Sequence, residues 1–249
     1  MSDLPNKLNK DAILEALCEV WFECEESVSL PEAVVGQLAK FDPWKDFERV
    51  RLPISDIPIS IRLQDPNLKN KPTLELRTGD GSQIVKIGAN VLSYHRLIPY
   101  PGWSIFKPEI DRFIDFLFDQ FRELKVTRLG FRYVNGFTEE HHGIQDVRNL
   151  NFSVELAGAE LEDQQNLNYR KALSDSHFIV VRIASPEFLA APSIEGINAL
   201  VDVDVFTPPG WGTENSEAAK DWVESAHTFE KEEFFKLFSD EMKDRMVAE

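Results

Sequence analysis

The sequence predicts an α+β fold with a largely antiparallel sheet, and three observations point there. Strand-like runs come at hairpin spacing, with GDGS at 79–82 as the clearest turn between two alternating segments. A long amphipathic helix, about 108–124, runs almost without a loop into a strand at 126–137. Regular strand–helix–strand alternation, which would announce a parallel sheet, is missing. The chain has 249 residues and is 43% hydrophobic, enough for the core of one domain spanning 1–249, or of two intimate halves at about 1–137 and 138–249.

The first strand is read at 12–24, AILEALCEVWFEC. Ile13, Leu14 and Leu17 would also suit a helix. However, Ala16, Cys18, Val20, Phe22 and Cys24 alternate with Glu15, Glu19 and Glu23, which is a period of two. Residues 30–41 read as a short helix with Pro31 in its first turn. Strands follow at 47–52, 58–63, 74–78 and 83–96, and Gly88 inside the last marks a bulge or a close backbone approach. LIPYPGW at 97–103 reads as a loop. In the helix that follows, Ile110, Phe113, Ile114, Leu117, Phe121 and Leu124 share one stripe, and Pro108, Glu109 and Asp111 suit its first turn. Residues 138–149 read as a polar loop, 151–156 as a short strand and 157–175 as an acidic excursion. Strong strands follow at 177–183 and 199–206, then a Pro/Gly loop at 208–216. The chain closes with helical pattern from Glu217 to about Met246, and Thr228 is placed to cap a second helical segment.

The formal net charge of −16 favours solubility and, more sharply, a protein partner with a basic surface. Direct binding to nucleic acid is disfavoured, because phosphates would meet a negative field. No apolar run is long enough to span a bilayer, and the first residues lack the apolar stretch of a signal peptide, so a cytoplasmic location is expected. The two cysteines, Cys18 and Cys24, would stand roughly 20 Å apart on one strand, too far for a disulfide.

Motifs for chemistry are sparse. His141 and His142 follow two glutamates in EEHH, but adjacent loop residues rarely converge on one ion, and no H-E-x-x-H spacing exists. His227 reads as a helix-surface residue. Asp202 and Asp204 share a strand face and could hold a metal, although pairing with Arg182 is the plainer role. No catalytic residue, metal or cofactor is expected.

The stretch VTRLGFRYVNGF at 126–137 carries the most information. Alternation sends Thr127, Leu129, Phe131, Tyr133, Asn135 and Phe137 to one side, the side that the 108–124 helix would cover. Arg128, Gly130, Arg132, Val134 and Gly136 go to the other. Gly130 leaves a gap in which a ligand could lie flat between two forked guanidiniums. Arg128, Arg132, Tyr133 and Asn135 are therefore the candidate ligand residues. The plainer reading makes Arg132 an ion-pair partner of Glu15 and Glu19 on the first strand. Trp103 and Trp211, both in expected loops, are candidate anchors for a protein partner.

LEALCEVWFE, RLGFRYVNGF and the closing WVESAHTFEKEEFFKLF together resemble a sporadically distributed bacterial and archaeal family of proteins of about this length. Glu15, Ala16, Gly130, Arg132, Tyr133, Asn135 and His227 carry the resemblance, while many relatives have proline where this chain reads NKDAI. The family brings no settled activity. Its patchy distribution resembles that of mobile accessory genes, including toxin–antitoxin and phage-defence modules. The resulting expectation is a non-enzymatic, acidic interaction protein: an antitoxin, sensor or accessory subunit. The alternative is a small-ligand or nucleotide sensor that uses the arginine-bearing face.

Overall fold

The computed structural model describes residues 4, 8–24, 30–121, 123–160, 166–188 and 196–246. The strands are β1 (Ile13–Glu23), β2 (Glu48–Arg51), β3 (Leu74–Arg77), β4 (Gln83–Ile87), β5 (Val91–Leu97), β6 (Lys125–Phe137), β7 (Glu155–Leu156), β8 (Ala159–Glu160), β9 (Asn166–Ala172), β10 (Phe178–Ala184) and β11 (Ala199–Phe206). The α-helices are α1 (Leu30–Leu38), α2 (Ile59–Gln64), α3 (Trp103–Gln120), α4 (Glu139–His142), α5 (Ser216–Lys236) and α6 (Asp240–Met246).

Nine strands form one sheet in the order β2-β3-β4-β5-β1-β6-β11-β10-β9, while β7 and β8 form a separate hairpin. Every pairing in the large sheet is antiparallel. The order has a two-fold logic. β1 and β6 lie side by side at the centre, each followed in the chain by a meander whose last strand returns to pair with it. For β1 that strand is β5, and for β6 it is β11. Each meander then leads into a long helix, α3 or α5. The fold is thus α+β, and a single sheet runs through both halves of the chain.

Helices α3 and α5 pack against each other on one face of the sheet. Beneath them lie Ala16, Cys18, Val20 and Phe22 of β1, Tyr94 of β5, Phe131 of β6, and Val203 of β11, all buried. Aromatic contacts tie the layers together: Phe22 stacks near Phe121, and Tyr94 near Phe106 and Phe113. On the far flank of α3, Phe41 and Trp44 pack edge-on against Phe116. Burying side chains of this size is the main favourable term in folding, each worth about 1.5–3 kcal/mol.

Several elements depart from the sequence reading. Of residues 58–63, Pro58 caps helix α2 and 59–63 lie within it, so the run is not a strand. The alternating Ile59, Ile61 and Leu63 are 41–53% exposed, so their period reports no buried face. The run 83–96 is broken at Gly88 into β4 and β5. There a methyl group would stand 2.6 Å from Val91 Cγ1 and 3.0 Å from the Lys71 carbonyl, the close approach that only glycine permits. The long helix starts earlier than expected, at Trp103, after Gly102 turns the chain at φ 92. Helix α5 runs unbroken through Thr228, whose hydroxyl donates to the Glu224 carbonyl one turn back instead of capping a new segment. The expected excursion at 157–175 contains the polar edge strand β9. Only its Leu167 and Lys171 are half-buried, so it carries little hydrophobic period.

Candidate functional site

The open face of the sheet carries the arginines. There Arg132 donates to Asp202 through two nitrogens at 2.6 Å each, and Arg182 reaches the same carboxylate at 3.1 Å. The expected pairing of Arg132 with Glu15 and Glu19 is therefore corrected. Asp202 lies across the ladder on β11 and meets the guanidinium as a fork, while the two glutamates have nearer partners. Glu19 accepts from Arg128 at 2.6 Å and from the Trp21 indole at 2.7 Å. Glu15 accepts from His95 Nδ1 at 2.6 Å, and His95 Nε2 meets the Ser93 hydroxyl at 2.7 Å. Burial pulls the His95 pKa down, which matches a neutral ring donating from Nδ1 and accepting at Nε2.

The gap expected over Gly130 is filled from within. The Arg128 guanidinium lies over it, 3.3 Å from where a Cβ would stand, and over the Trp21 and Phe206 rings at 4.9 and 5.3 Å. Asp204 is pushed up to about 6 by burial, against the pull of Arg128 and Arg132. Arginines thus surround both aspartates, and among the described residues no group of three or more His, Cys, Asp or Glu is arranged to hold a metal ion. His142 of EEHH turns inward, where its Nδ1 accepts from the Thr138 N–H at 3.1 Å and its ring packs edge-on to Phe137.

On the helix-covered face the arrangement differs. A cavity of about 560 Å³ opens where β6, α3 and α5 meet the segment before β1, within the size range of small-molecule sites. Three pieces of backbone build it. The helix-facing row of β6 places Tyr133 and Asn135 at the cavity wall. The turn at Gly102 places Tyr100 on one side of it and Trp103 on the other. Helix α5 supplies His227, Glu230, Lys231 and Phe234, a spacing of three, four and seven that keeps one helical face inward.

The polar groups are tightly placed. The hydroxyls of Tyr100 and Tyr133 meet at 2.6 Å; whichever accepts keeps its own hydrogen for another partner. Burial raises both phenols further above the usual range, so both are neutral. Asn135 is 2% exposed and donates through Nδ2 to the Val201 carbonyl at 3.3 Å. The His227 ring lies flat on the Trp103 indole, with centroids 3.8 Å apart and planes within 4°. Burial, assisted by the charge of Lys231, brings His227 down to about 4, so the imidazole is neutral.

Glu230 decides the character of the site. It is 5% exposed, lines the cavity, and has no hydrogen-bond partner among the described residues. Burial pushes its carboxyl up to about 8 against a weaker opposing effect of Lys231. Its oxygens are not among the fully buried atoms without a partner, which among the described residues are Trp44 Nε1 and His142 Nε2, so the carboxyl opens on the cavity, where a ligand group would meet it.

The candidate ligand residues thus fall into two groups. Tyr133 and Asn135 line the cavity, whereas Arg128 and Arg132 belong to ion pairs on the opposite face. Their parity along one strand requires this separation. Trp103 and Trp211, the candidate partner anchors, both pack partly against the body of the fold. Both are half-buried, Trp103 stacked on His227 and Trp211 packed near Trp222 at 6.3 Å. His227, expected on a helix surface, is a wall of the site. Sequence reasoning does not reach Glu230 or Tyr100, although Glu230 carries a signal: it interrupts the inward stripe Ala219, Trp222, Val223, Ala226 and Phe234.

Comparison with known proteins adds little to this. No family model and no curated protein matches the chain. Among solved structures, Methanococcus jannaschii TBP aligns with 89% of this chain and 99% of its own at 12% identity. Its TM-score of 0.27 is too low to carry an argument about fold or function.

Proposed function

We propose that this protein binds a small organic molecule in the cavity between β6, α3 and α5, as a ligand-binding or sensing protein. The observation that carries this reading is Glu230. Its carboxyl is buried at the wall of an aromatic cavity without a hydrogen-bond partner among the described residues, and a ligand group is the simplest thing that would complete it. The tyrosine pair and Asn135 add further polar contacts, while Trp103 and Phe234 supply apolar area. A fragment screen followed by NMR tests the reading. Hits are expected to move the His227 ring and Trp103 indole signals and to lose affinity when Ser104→Trp places a bulky ring at the cavity wall. Hits that leave both residues unmoved would overturn it.

A second reading keeps the chain as an interaction component, an antitoxin, sensor or accessory subunit of a toxin–antitoxin or phage-defence module. The net charge of −16 and the exposed Ile59, Ile61 and Leu63 of α2 support it. A pull-down from the native host at low and moderate salt tests it. A stoichiometric partner lost with Ile61→Asp and Leu63→Asp is the expected result, and no partner under either condition counts against it.

A further inference from the structure

We propose that the cavity is built for an organic cation: a protonated amine on an apolar or aromatic body, with its ammonium on Glu230. This rests on reading the cavity as a ligand site and names the ligand class. Two features of the lining select the charge. Among the described lining residues the carboxyls are Glu230 and Asp11 and the ammonium is that of Lys231, and Glu230 once ionised would repel an anionic head group. The remaining wall includes the rings of Tyr100, Trp103, Tyr133 and Phe234, and an aromatic face turned to the cavity would attract a cation and repel an anion. The imidazole of His227, flat against Trp103, adds area without adding charge. An ammonium has three donors for one buried carboxylate, the adjacent phenol oxygens and the open cavity.

Binding a cation requires Glu230 to ionise, and its proton leaves to solvent. The groups facing it are Asp11 from the segment before β1, Tyr100 from the loop before α3, Tyr133 and Asn135 from β6, and His227 and Lys231 from its own helix. Both phenols titrate higher than Glu230 and His227 lower, and the charge of Glu230 itself follows pH between about 6 and 8. Amine affinity should therefore rise about tenfold per pH unit from about pH 6 to 7 and level off above about pH 8.

The test uses the full chain with 2-phenylethylamine, its neutral isostere 2-phenylethanol and the anion phenylacetate, read at the His227 and Trp103 NMR signals. The amine should bind at least about tenfold more tightly than the alcohol near pH 8, with phenylacetate weakest, and Glu230→Gln should abolish that preference. If the variant fails to fold, the wild-type pH profile decides: a rise for the amine beside a flat line for the alcohol is expected. Alcohol or phenylacetate binding as tightly as the amine at these residues would overturn the cation assignment and leave the cavity reading standing. Failure of all three probes to move His227 or Trp103 would overturn the cation assignment, whereas the fragment screen separately decides whether the cavity takes any ligand.

Discussion

Glu230→Gln should make the protein more stable at neutral pH, an unusual outcome for a buried polar residue in a helix. The carboxyl sits near 8 in the folded chain and near 4.5, the ordinary glutamate value, once unfolded. Between these values the folded state holds a proton that the unfolded state has released. Stability therefore falls as pH rises through this window, by about 1.4 kcal/mol per unit where the difference is complete. From about pH 5.5 to 7.5 the loss integrates to about 2.5 kcal/mol for the wild type. An amide at this position has no proton to lose, so the variant lacks this slope. Urea denaturation of both proteins at several pH values measures it, as the change in their stability difference rather than in either absolute value. A difference that stays constant within about 0.5 kcal/mol across that range would refute the reasoning, because Glu230 would then be solvated or paired.

On the open face, Arg132→Ala should cost about 2–3 kcal/mol, because it strips the fork from the buried Asp202 and leaves only Arg182, and Arg128→Ala about 1 kcal/mol. Thermal or urea unfolding checks this, and equal, negligible losses would contradict it. Gly88→Ala should destabilise by about 1–3 kcal/mol, since the added methyl meets the Lys71 carbonyl and Val91. Gly36→Ala, in α1 with nothing within 4 Å, should instead stabilise by about 0.5–1 kcal/mol, and the same unfolding measurements separate the two glycines. The His227 ring signals should not titrate between about pH 5.5 and 8, because burial holds the imidazole at about 4; a midpoint near 6.5 in NMR would mean the ring is open to water.

Much of this fold is legible in the sequence, and the reasons are physical. Period-two alternation identifies β1, β6, β10 and β11 because each presents one face to the helix layer and the other to the open side. It fails at 58–63, where alternating apolar residues bury nothing, and at β9, where an edge strand has little to bury. The sheet face of the site is equally legible. Tyr133 and Asn135 belong to the helix-covered row by parity alone, and grouping them with Arg128 and Arg132 crosses that parity. The rest of the cavity is harder, because it depends on which helices lie beside β6. Tyr100 and Trp103 sit at the junction of a loop and a helix that starts earlier than its stripe suggests. His227 looks like a surface residue because nothing in local sequence shows that Trp103 lies against it. Glu230 is visible as an acid within an apolar stripe, a pattern more informative than EEHH or the paired aspartates.

The most direct measurement is a carboxyl-carbon NMR titration of Glu230, carried out with and without 2-phenylethylamine. Glu230 should titrate near 8 in the free protein, and its midpoint should fall by more than about one unit when the amine is bound. A midpoint near 4.5, unmoved by the amine, would contradict a buried carboxyl waiting for a ligand.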